Sequence, residues 1–276
     1  MINDFVLYSL KSVVIFSLLF IPYFLFRGDT FFVRNRLYLL LALILSLVLP
    51  LLSFNMEQNE SRLNFVLSTI SINEKVEEAP VNSSELLSWL VKVFLIISGL
   101  FLLRFFVSIS NIILMILRNP KEKREKETIV WMNGPADFSF FRYIFLSRDK
   151  YHPSIHQHER VHVQRFHSVD IILFELFRCF QWYNPLVWVA LSEIRTQHEY
   201  EADELTVGKN KTEYQALLLS LILEKDLVHM TNSFYYLTIK KRFTMINKKR
   251  SPKRALTKTL AVLPFVLLSS GLFSNI

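Results

Sequence analysis

The sequence predicts a mainly α-helical, polytopic membrane protein with four transmembrane helices and one domain on the cytoplasmic side. Hydrophobic residues make up 51% of the 276 residues, and the mean hydropathy is +0.30, which is more apolar than a typical soluble domain. The apolar residues form long runs towards both ends of the chain, close to the length that a helix needs to cross a bilayer. The formal net charge of +8 comes largely from segments between those runs.

Four apolar runs are predicted to cross the membrane: residues 5–26, 37–54, 86–106 and 259–276. The first run carries Lys11 as its only charge and lacks the basic start and the small-residue cleavage site of a signal peptide, so we expect it to be retained. The third apolar stretch continues to residue 117, and its end is expected to form an interfacial or cytoplasmic helix. Residues 1–117 are the predicted membrane region.

Basic residues in the connecting segments orient these helices, because Lys and Arg favour the cytoplasmic side of a membrane. Residues 27–36 contain three Arg, and residues 240–258 contain nine basic residues and no acidic residue. Residues 55–85 contain six acidic and two basic residues, so they are predicted to lie outside, as are both ends of the chain. Residues 118–258 then form the predicted cytoplasmic domain.

The basic segment at residues 240–258 has two compatible interpretations, a solvated linker and a contact with anionic lipid at the inner leaflet. No nucleic-acid recognition module accompanies the charge, so direct nucleic-acid binding is not expected. The single cysteine, Cys179, excludes an internal disulfide and a multi-cysteine metal site. It lies among aromatic residues and is predicted to be a small core residue.

Two segments of the cytoplasmic domain have strand composition. Residues 128–132 ("TIVWM") and 138–147 ("FSFFRYIFLS") are rich in β-branched and aromatic residues, and the turn signal "NGPAD" lies between them. This pattern predicts a short β-hairpin or two short strands, and an irregular connector is the alternative.

Helical segments follow. Ser154 and Gln157 match a capping box, which predicts that a helix starts there. After Ser168 the chain is apolar, but its longest uncharged part is 14 residues, too short for a normal crossing. This part is predicted to be a buried core helix or one that leans into the membrane surface. Asn184 followed by Pro185 predicts the start of a further helix, which should run to about Val207, with Gly208 as its stop.

The segment "HQHERVH" contains the pattern His-Glu-x-x-His, at His158, Glu159 and His162. On a helix the two histidines lie one above the other, so both imidazoles can bind one zinc ion. Glu159 is about 100° around the helix from His158, which places it beside a water that the metal activates, as a general base. The alternative is a surface helix whose histidines have other partners.

A catalytic zinc needs a third protein ligand and an open position. In "HEYEADE" (198–204), Glu199 and Asp203 are four residues apart and share a helix face. Glu199 is the predicted ligand, and Asp203 is predicted to orient a histidine ring. Glu201 is about 200° from Glu199 and should face elsewhere, and His198 is offset from this face. The alternative for this acidic cluster is a solvated surface.

Other polar residues near the motif are predicted to lie outside the site. Three histidines do not share the face of the pair: His152, His156 and His167. Arg195 lies one turn before Glu199, where it can support the site or the transition state, or form a salt bridge with Glu199 or Glu193.

The segments "FRYIFLS", "HERVH", "WYNPLVW" and "HEYEAD", in this order and after membrane spans, resemble the membrane-bound metallopeptidases of the BlaR/MecR type, the β-lactam-sensing antirepressor transducers. "EYEAD" is also similar to the Glu-x-Glu-Ala-Asp element of CAAX-type and HtpX-like proteases, whose first Glu binds zinc. The resemblance implies a cytoplasm-facing gluzincin fold in a bacterial inner membrane, with Zn²⁺ held by His158, His162 and Glu199. It also implies that Glu159 is the general base and that a substrate peptide adds as a strand near residues 138–147.

The resemblance further implies regulated proteolysis of the chain itself or of a repressor, in response to an outside signal. The β-lactam sensors carry a penicillin-binding domain after the fourth span, and no Ser-x-x-Lys domain follows the fourth run here, so β-lactam sensing by this chain is not expected. Two alternatives stay open: a membrane transducer with a structural or inactive zinc site, and an HtpX-like quality-control protease.

Overall fold

A computed structural model describes residues 2–51, 83–134, 137–149, 151–208, 211–226 and 232–265. The described chain is mainly helical, with a small sheet. Its helices are α1 (Ile2–Phe20), α2 (Phe32–Val48), α3 (Ser83–Arg118), α4 (Pro153–Gln164), α5 (His167–Phe180), α6 (Pro185–Thr206), α7 (Lys211–Asp226) and α8 (Asn232–Asn247). Its strands are β1 (Lys121–Lys123), β2 (Thr128–Met132), β3 (Phe138–Phe140) and β4 (Tyr143–Ser147).

Within the described residues, three candidate membrane spans are long and apolar enough to cross a bilayer: Asp4–Leu25, Phe32–Leu51 and Leu87–Arg118. The third belongs to the 36-residue helix α3, which at about 1.5 Å per residue is about 54 Å long and exceeds the hydrocarbon core. The predicted fourth span begins in a described 3₁₀ helix, Lys253–Val262, but most of it lies outside the described residues. The predicted outside segment at residues 55–85 lies almost wholly outside them as well.

The sheet differs from the predicted hairpin. Its strand order is β1-β2-β4-β3, and β2 pairs with β4 in parallel. Strand β3 runs in the opposite direction to β2 and lies one strand away from it, which leaves space for β4. A tight turn at Phe141, which has a φ of 50°, then brings β4 in between β2 and β3. The antiparallel hairpin is therefore β3–β4, and β3 lies at the sheet edge.

Helix starts follow local capping chemistry. The Asn184 side chain accepts a hydrogen bond from the backbone N–H of Leu186, which confirms the predicted start of α6 at Pro185. The predicted capping box at Ser154 was wrong. His152 is the N-cap residue of α4, since its Nδ1 accepts from the N–H of Ser154 and Pro153 occupies the first helical position.

Helices α5 and α6 form an antiparallel pair that packs against α1 and α2. Phe16 and Phe177 have ring centroids 5.1 Å apart, and the Gln181 side chain donates to the Ser12 hydroxyl at 2.7 Å. The turn between α5 and α6 therefore lies beside the middle of α1, within the first candidate span. The uncharged stretch at residues 179–192 is not a single helix, because it spans the end of α5, the turn and the start of α6. Cys179 within it is 1% exposed, as expected for a core residue, whereas Phe180, Trp188 and Val189 are exposed.

The loop between α1 and α2 contacts the basic segment that follows α8. Thr30 and Ser251 exchange two hydrogen bonds, of 3.0 and 2.8 Å, and Lys258 forms an ion pair with Asp29 at 3.0 Å. Both segments therefore lie on the same side of the helices.

Candidate metal centre and active site

Three of the predicted site residues meet between α4 and α6: His158, His162 and Glu199. The Nε2 atoms of the two histidines are 3.3 Å apart. The Glu199 carboxylate lies 3.4 Å from Nε2 of His158 and 3.6 Å from Nε2 of His162. Because their ligand atoms all lie within 4.8 Å of one another, the three residues can hold one metal ion.

The two helices place these side chains by simple rules. His158 and His162 are one turn apart on α4, so their rings project together. Glu199 projects from α6, where Ala202 on the same side is fully buried and small enough for helices to approach closely. Burial lowers the pKa of His162 well below its ordinary value, so its imidazole is neutral, which is the form that binds a metal.

Asp203 lies directly behind His158. Its Oδ1 is 3.4 Å from Nδ1 of His158, and the Tyr214 hydroxyl donates to the same oxygen at 2.8 Å. Tyr214 also lies 2.9 Å from Nδ1 of His158, where it accepts from the ring N–H. This pair of contacts fixes the tautomer that leaves Nε2 of His158 free to face His162 and Glu199.

Arg242, from α8, is a member of the site that sequence patterns did not indicate. Its guanidinium lies 2.9 Å from Glu199 and makes two hydrogen bonds to Asp203, of 2.8 and 2.5 Å. Burial raises the pKa of the Glu199 carboxyl, but Arg242 and His158 outweigh burial and hold that pKa well below its ordinary value. Arg242 thus helps to keep the Glu199 carboxylate ionised.

His167, which was predicted to lie outside the site, supports His162 instead. The two Nδ1 atoms are 2.8 Å apart, and Nε2 of His167 lies 3.3 Å from the Glu201 carboxylate. The helix-face prediction failed because α4 ends before His167: Phe166 has a left-handed φ of 57° and starts a new helix direction. Glu201 faces away from the metal group, as predicted, but it is buried and partners this second histidine.

His198 belongs to the same buried layer and is not part of the metal group. Its ring stacks on His167 with centroids 3.9 Å apart, and its Nε2 lies 2.8 Å from Asp170. Arg36, near the start of α2, donates to Asp170 at 2.5 Å. Burial raises the pKa of Asp170, but hydrogen bonds from His198 and Arg36 overcome it and lower that pKa.

Glu159 faces a cavity of about 420 Å³ that opens beside the metal group. His162, Glu199 and the residues of β3 also line this cavity. Burial raises the pKa of the Glu159 carboxyl to about 7, and a carboxyl that titrates near neutral pH can exchange a proton with a reacting group. His156, in contrast, points to Glu127, with Nε2 2.9 Å from its carboxylate, and is outside the site as predicted.

The far end of the cavity is rich in arginine. Arg104 of α3, Arg178 of α5 and Arg195 of α6 line it together with Glu175. Arg195 pairs with Glu175 at 2.7 Å, so the predicted salt bridge with Glu199 or Glu193 was wrong. Glu193 instead pairs with Arg27 across the α1–α2 loop.

The contact between Tyr214 and His158 gives a first prediction. Tyr214→Phe removes the acceptor on Nδ1 of His158 without changing the shape of the side chain. We expect metal affinity to fall about tenfold, the lower end of what loss of such a supporting contact costs. Competition with a chelator of known affinity measures this, with Tyr151→Phe at an exposed position as the control. An affinity that matches the control would contradict the prediction.

Comparisons with known proteins agree with this arrangement. Residues 147–246 match the family model described as BlaR1 peptidase M56. The chain is also 29% identical over 108 residues to the regulatory protein BlaR1 of Staphylococcus aureus. That match covers 36% of this chain but only 18% of the Staphylococcus protein, so the chain spans less than a fifth of that relative's length. The predicted resemblance to the BlaR/MecR-type family is confirmed for this part of the chain.

Proposed function

We propose that this chain is a multi-pass zinc-dependent endopeptidase of a bacterial inner membrane, with a gluzincin-type active site that faces the cytoplasm. It would cleave itself or a regulatory protein in transmembrane signalling. The observation that carries this proposal is the convergence of His158, His162 and Glu199 beside a cavity that also exposes Glu159. The match to a peptidase family over the same residues supports it.

The spacing of the donor atoms supports zinc. Donors at about 2.1 Å from a tetrahedral zinc ion lie about 3.4 Å from one another. The two imidazole Nε2 atoms are 3.3 Å apart, and the two oxygens of the Glu199 carboxylate lie 3.4 Å from His158 and 3.6 Å from His162. Two imidazoles and one carboxylate are also a ligand set found in catalytic zinc sites, which leave a fourth position for water or substrate.

The protein's own groups have distinct tasks in this proposal. A zinc ion in the site would polarise the scissile carbonyl and activate water. Glu159 takes the proton of the attacking water and passes it to the leaving amine. Asp203 and Tyr214 hold the His158 ring, while His167 and Glu201 hold the His162 ring, so both ligands are pre-oriented.

The substrate would bind along strand β3. This strand is at the edge of the sheet and lines the cavity next to Glu159. An exposed edge can accept a peptide as an added strand through backbone hydrogen bonds. This suits a protease because the peptide is then held in an extended conformation around the scissile bond. The lipid bilayer and a protein or peptide substrate are therefore the proposed partners.

The cytoplasmic orientation rests on the charges of two segments. Residues 27–36, which span the α1–α2 loop and the first turn of α2, and the segment after α8 are both basic, and they lie side by side through the Thr30–Ser251 and Asp29–Lys258 contacts. Basic segments favour the cytoplasmic side, and Arg36 on α2 reaches the metal-site layer through Asp170. We propose the division into a membrane region (1–117), a cytoplasmic peptidase domain (118–258) and a fourth span (259–276).

Purified full-length protein in detergent tests this proposal. We expect about one zinc per chain, cleavage of a protein substrate that a chelator abolishes and zinc restores, and loss of both zinc and cleavage in His162→Ala. His156→Ala is the matched control, because His156 lies on the same helix but partners Glu127. If neither the unaltered chain nor the His156→Ala control binds zinc, the proposal is wrong. If the chain binds zinc but cleaves no substrate, the transducer with a structural zinc site is favoured.

A further inference from the structure

The arginine-rich end of the cavity suggests what the site selects. It consists of Arg104, Arg178, Arg195 and Glu175, and is called the arginine cluster below. We propose that the arginine cluster is a specificity subsite that binds an acidic side chain of the substrate, close to the scissile bond. This inference rests on the proposed peptidase function and adds a substrate class to it.

The charge balance of the arginine cluster carries the inference. Arg178 and Arg195 both pair with the one carboxylate of Glu175. The side chain of Arg104 has no hydrogen bond or ion pair with any residue that the structure describes. Within the arginine cluster, three positive charges therefore accompany one negative charge, and a second carboxylate that entered the cluster would be stabilised by charge-assisted hydrogen bonds.

Two of the three arginines, Arg178 and Arg195, are held in place by contacts with other side chains. The Arg178 side chain is 12% exposed, and its guanidinium lies over the Trp188 ring at 4.6 Å. Its Nε atom is buried and has no hydrogen-bond acceptor among the described residues. Arg195 is 55% exposed and is anchored through Glu175. A fixed guanidinium loses less freedom when it binds a carboxylate, which favours a specific contact.

A peptide side chain fits this cluster better than the phosphate of an anionic lipid. The cavity is continuous from the arginine cluster to Glu159 and His162, and β3 forms part of its wall. A peptide bound along β3 would therefore place one side chain among the arginines while its backbone reaches Glu159. Arg195 and Glu199 are also one turn apart on α6, so the subsite and the candidate metal ligand share a helix face.

Paired peptides test the inference. The peptides of each pair are extended and differ only by Glu or Gln at one position. Their binding is measured with the full chain carrying Glu159→Gln, so that they stay intact. Their cleavage is measured with the unaltered full chain loaded with zinc. We expect one position at which Glu improves both binding and kcat/KM by about tenfold or more, as one charge-assisted contact provides. Arg195→Gln should reduce this ratio to about one, Arg195→Lys should retain part of it, and Arg195→Glu should shift the preference to Lys.

The controls separate this inference from the proposed function. Arg124→Gln, at an exposed ion pair on the sheet, should keep the full preference for Glu. Cleavage with no preference at any position would overturn the subsite alone, and selective binding without cleavage would overturn the peptidase function alone. Phosphatidylglycerol in nanodiscs tests the alternative that the cluster binds lipid. If Arg195→Gln removes an effect of this lipid on cleavage and leaves the ratio of kcat/KM for the Glu and Gln peptides unchanged, the cluster binds lipid and the inference is wrong.

Discussion

Glu159→Gln is expected to reduce proteolysis by about 10²–10⁴-fold, the usual contribution of a general base, while zinc stays at about one per chain. Gln keeps the shape of the side chain but cannot take up a proton. The metal should remain because Glu159 is not one of the three residues whose ligand atoms converge. Zinc content and single-turnover cleavage in detergent measure the two quantities on the same sample.

The control for this variant is Glu122→Gln, which changes an exposed carboxylate on β1 and should leave cleavage unaltered. If Glu159→Gln also loses zinc, Glu159 contributes to binding the metal and its assignment as base fails. If cleavage is lost but cellular signalling persists, the transducer with a structural site gains support. A quality-control protease would instead show several uncleaved membrane proteins in cells that carry the variant.

Arg242→Met is expected to lower the free energy of unfolding by about 3–5 kcal/mol, the cost of removing one partner from a buried ion pair. This corresponds to a fall in Tm of about 10 °C for a chain of this size. The reason is that Asp203 is 2% exposed and would lose the guanidinium that donates to both of its oxygens. The loss should be larger after chelation, because a bound zinc ion would itself neutralise Glu199. Thermal unfolding of the metal-free and zinc-loaded protein measures both effects.

Two further variants test the electrostatic explanation. Arg250→Met removes a guanidinium that is 88% exposed and should change stability by less than about 0.5 kcal/mol. Asp203→Asn, combined with Arg242→Met, should recover part of the lost Tm because it removes the uncompensated charge. An equal loss in the double variant would attribute the effect to packing of the Arg242 stem instead.

Local rules were sufficient for parts of the structure that depend on few residues. The four-residue spacings of His158/His162 and Glu199/Asp203 fix which side chains share a helix face, and the structure brings these four residues together. Asn184 followed by Pro185 was sufficient to start α6, because capping uses only neighbouring atoms. The apolar runs likewise indicated the three candidate spans that the structure describes.

The rest depends on contacts between distant parts of the chain, which spacing does not encode. Tyr214 and Arg242 reach the site from α7 and α8, and no helix-face rule links them to α4 or α6. His167 was misassigned because the helix breaks at Phe166, a phenylalanine that gives no sequence signal for a left-handed residue. The composition of the strands also does not determine their order in the sheet. Either β3 or β4 could lie beside β2, and in the structure it is β4.

Helix α6 also links two regions that a domain division would separate. Its first half, with Val187 and Ala190 fully buried, packs among the first two candidate spans. Its second half carries Glu199, while the histidine pair lies on the separate helix α4. An α-helix of 22 residues is a stiff rod of about 33 Å. A tilt of α1 and α2 relative to α4 would therefore move the Glu199 carboxylate relative to the two imidazoles of α4. The position of one end of α6 among the candidate spans and the spacing of the ligand atoms at its other end are thus properties of a single rigid element.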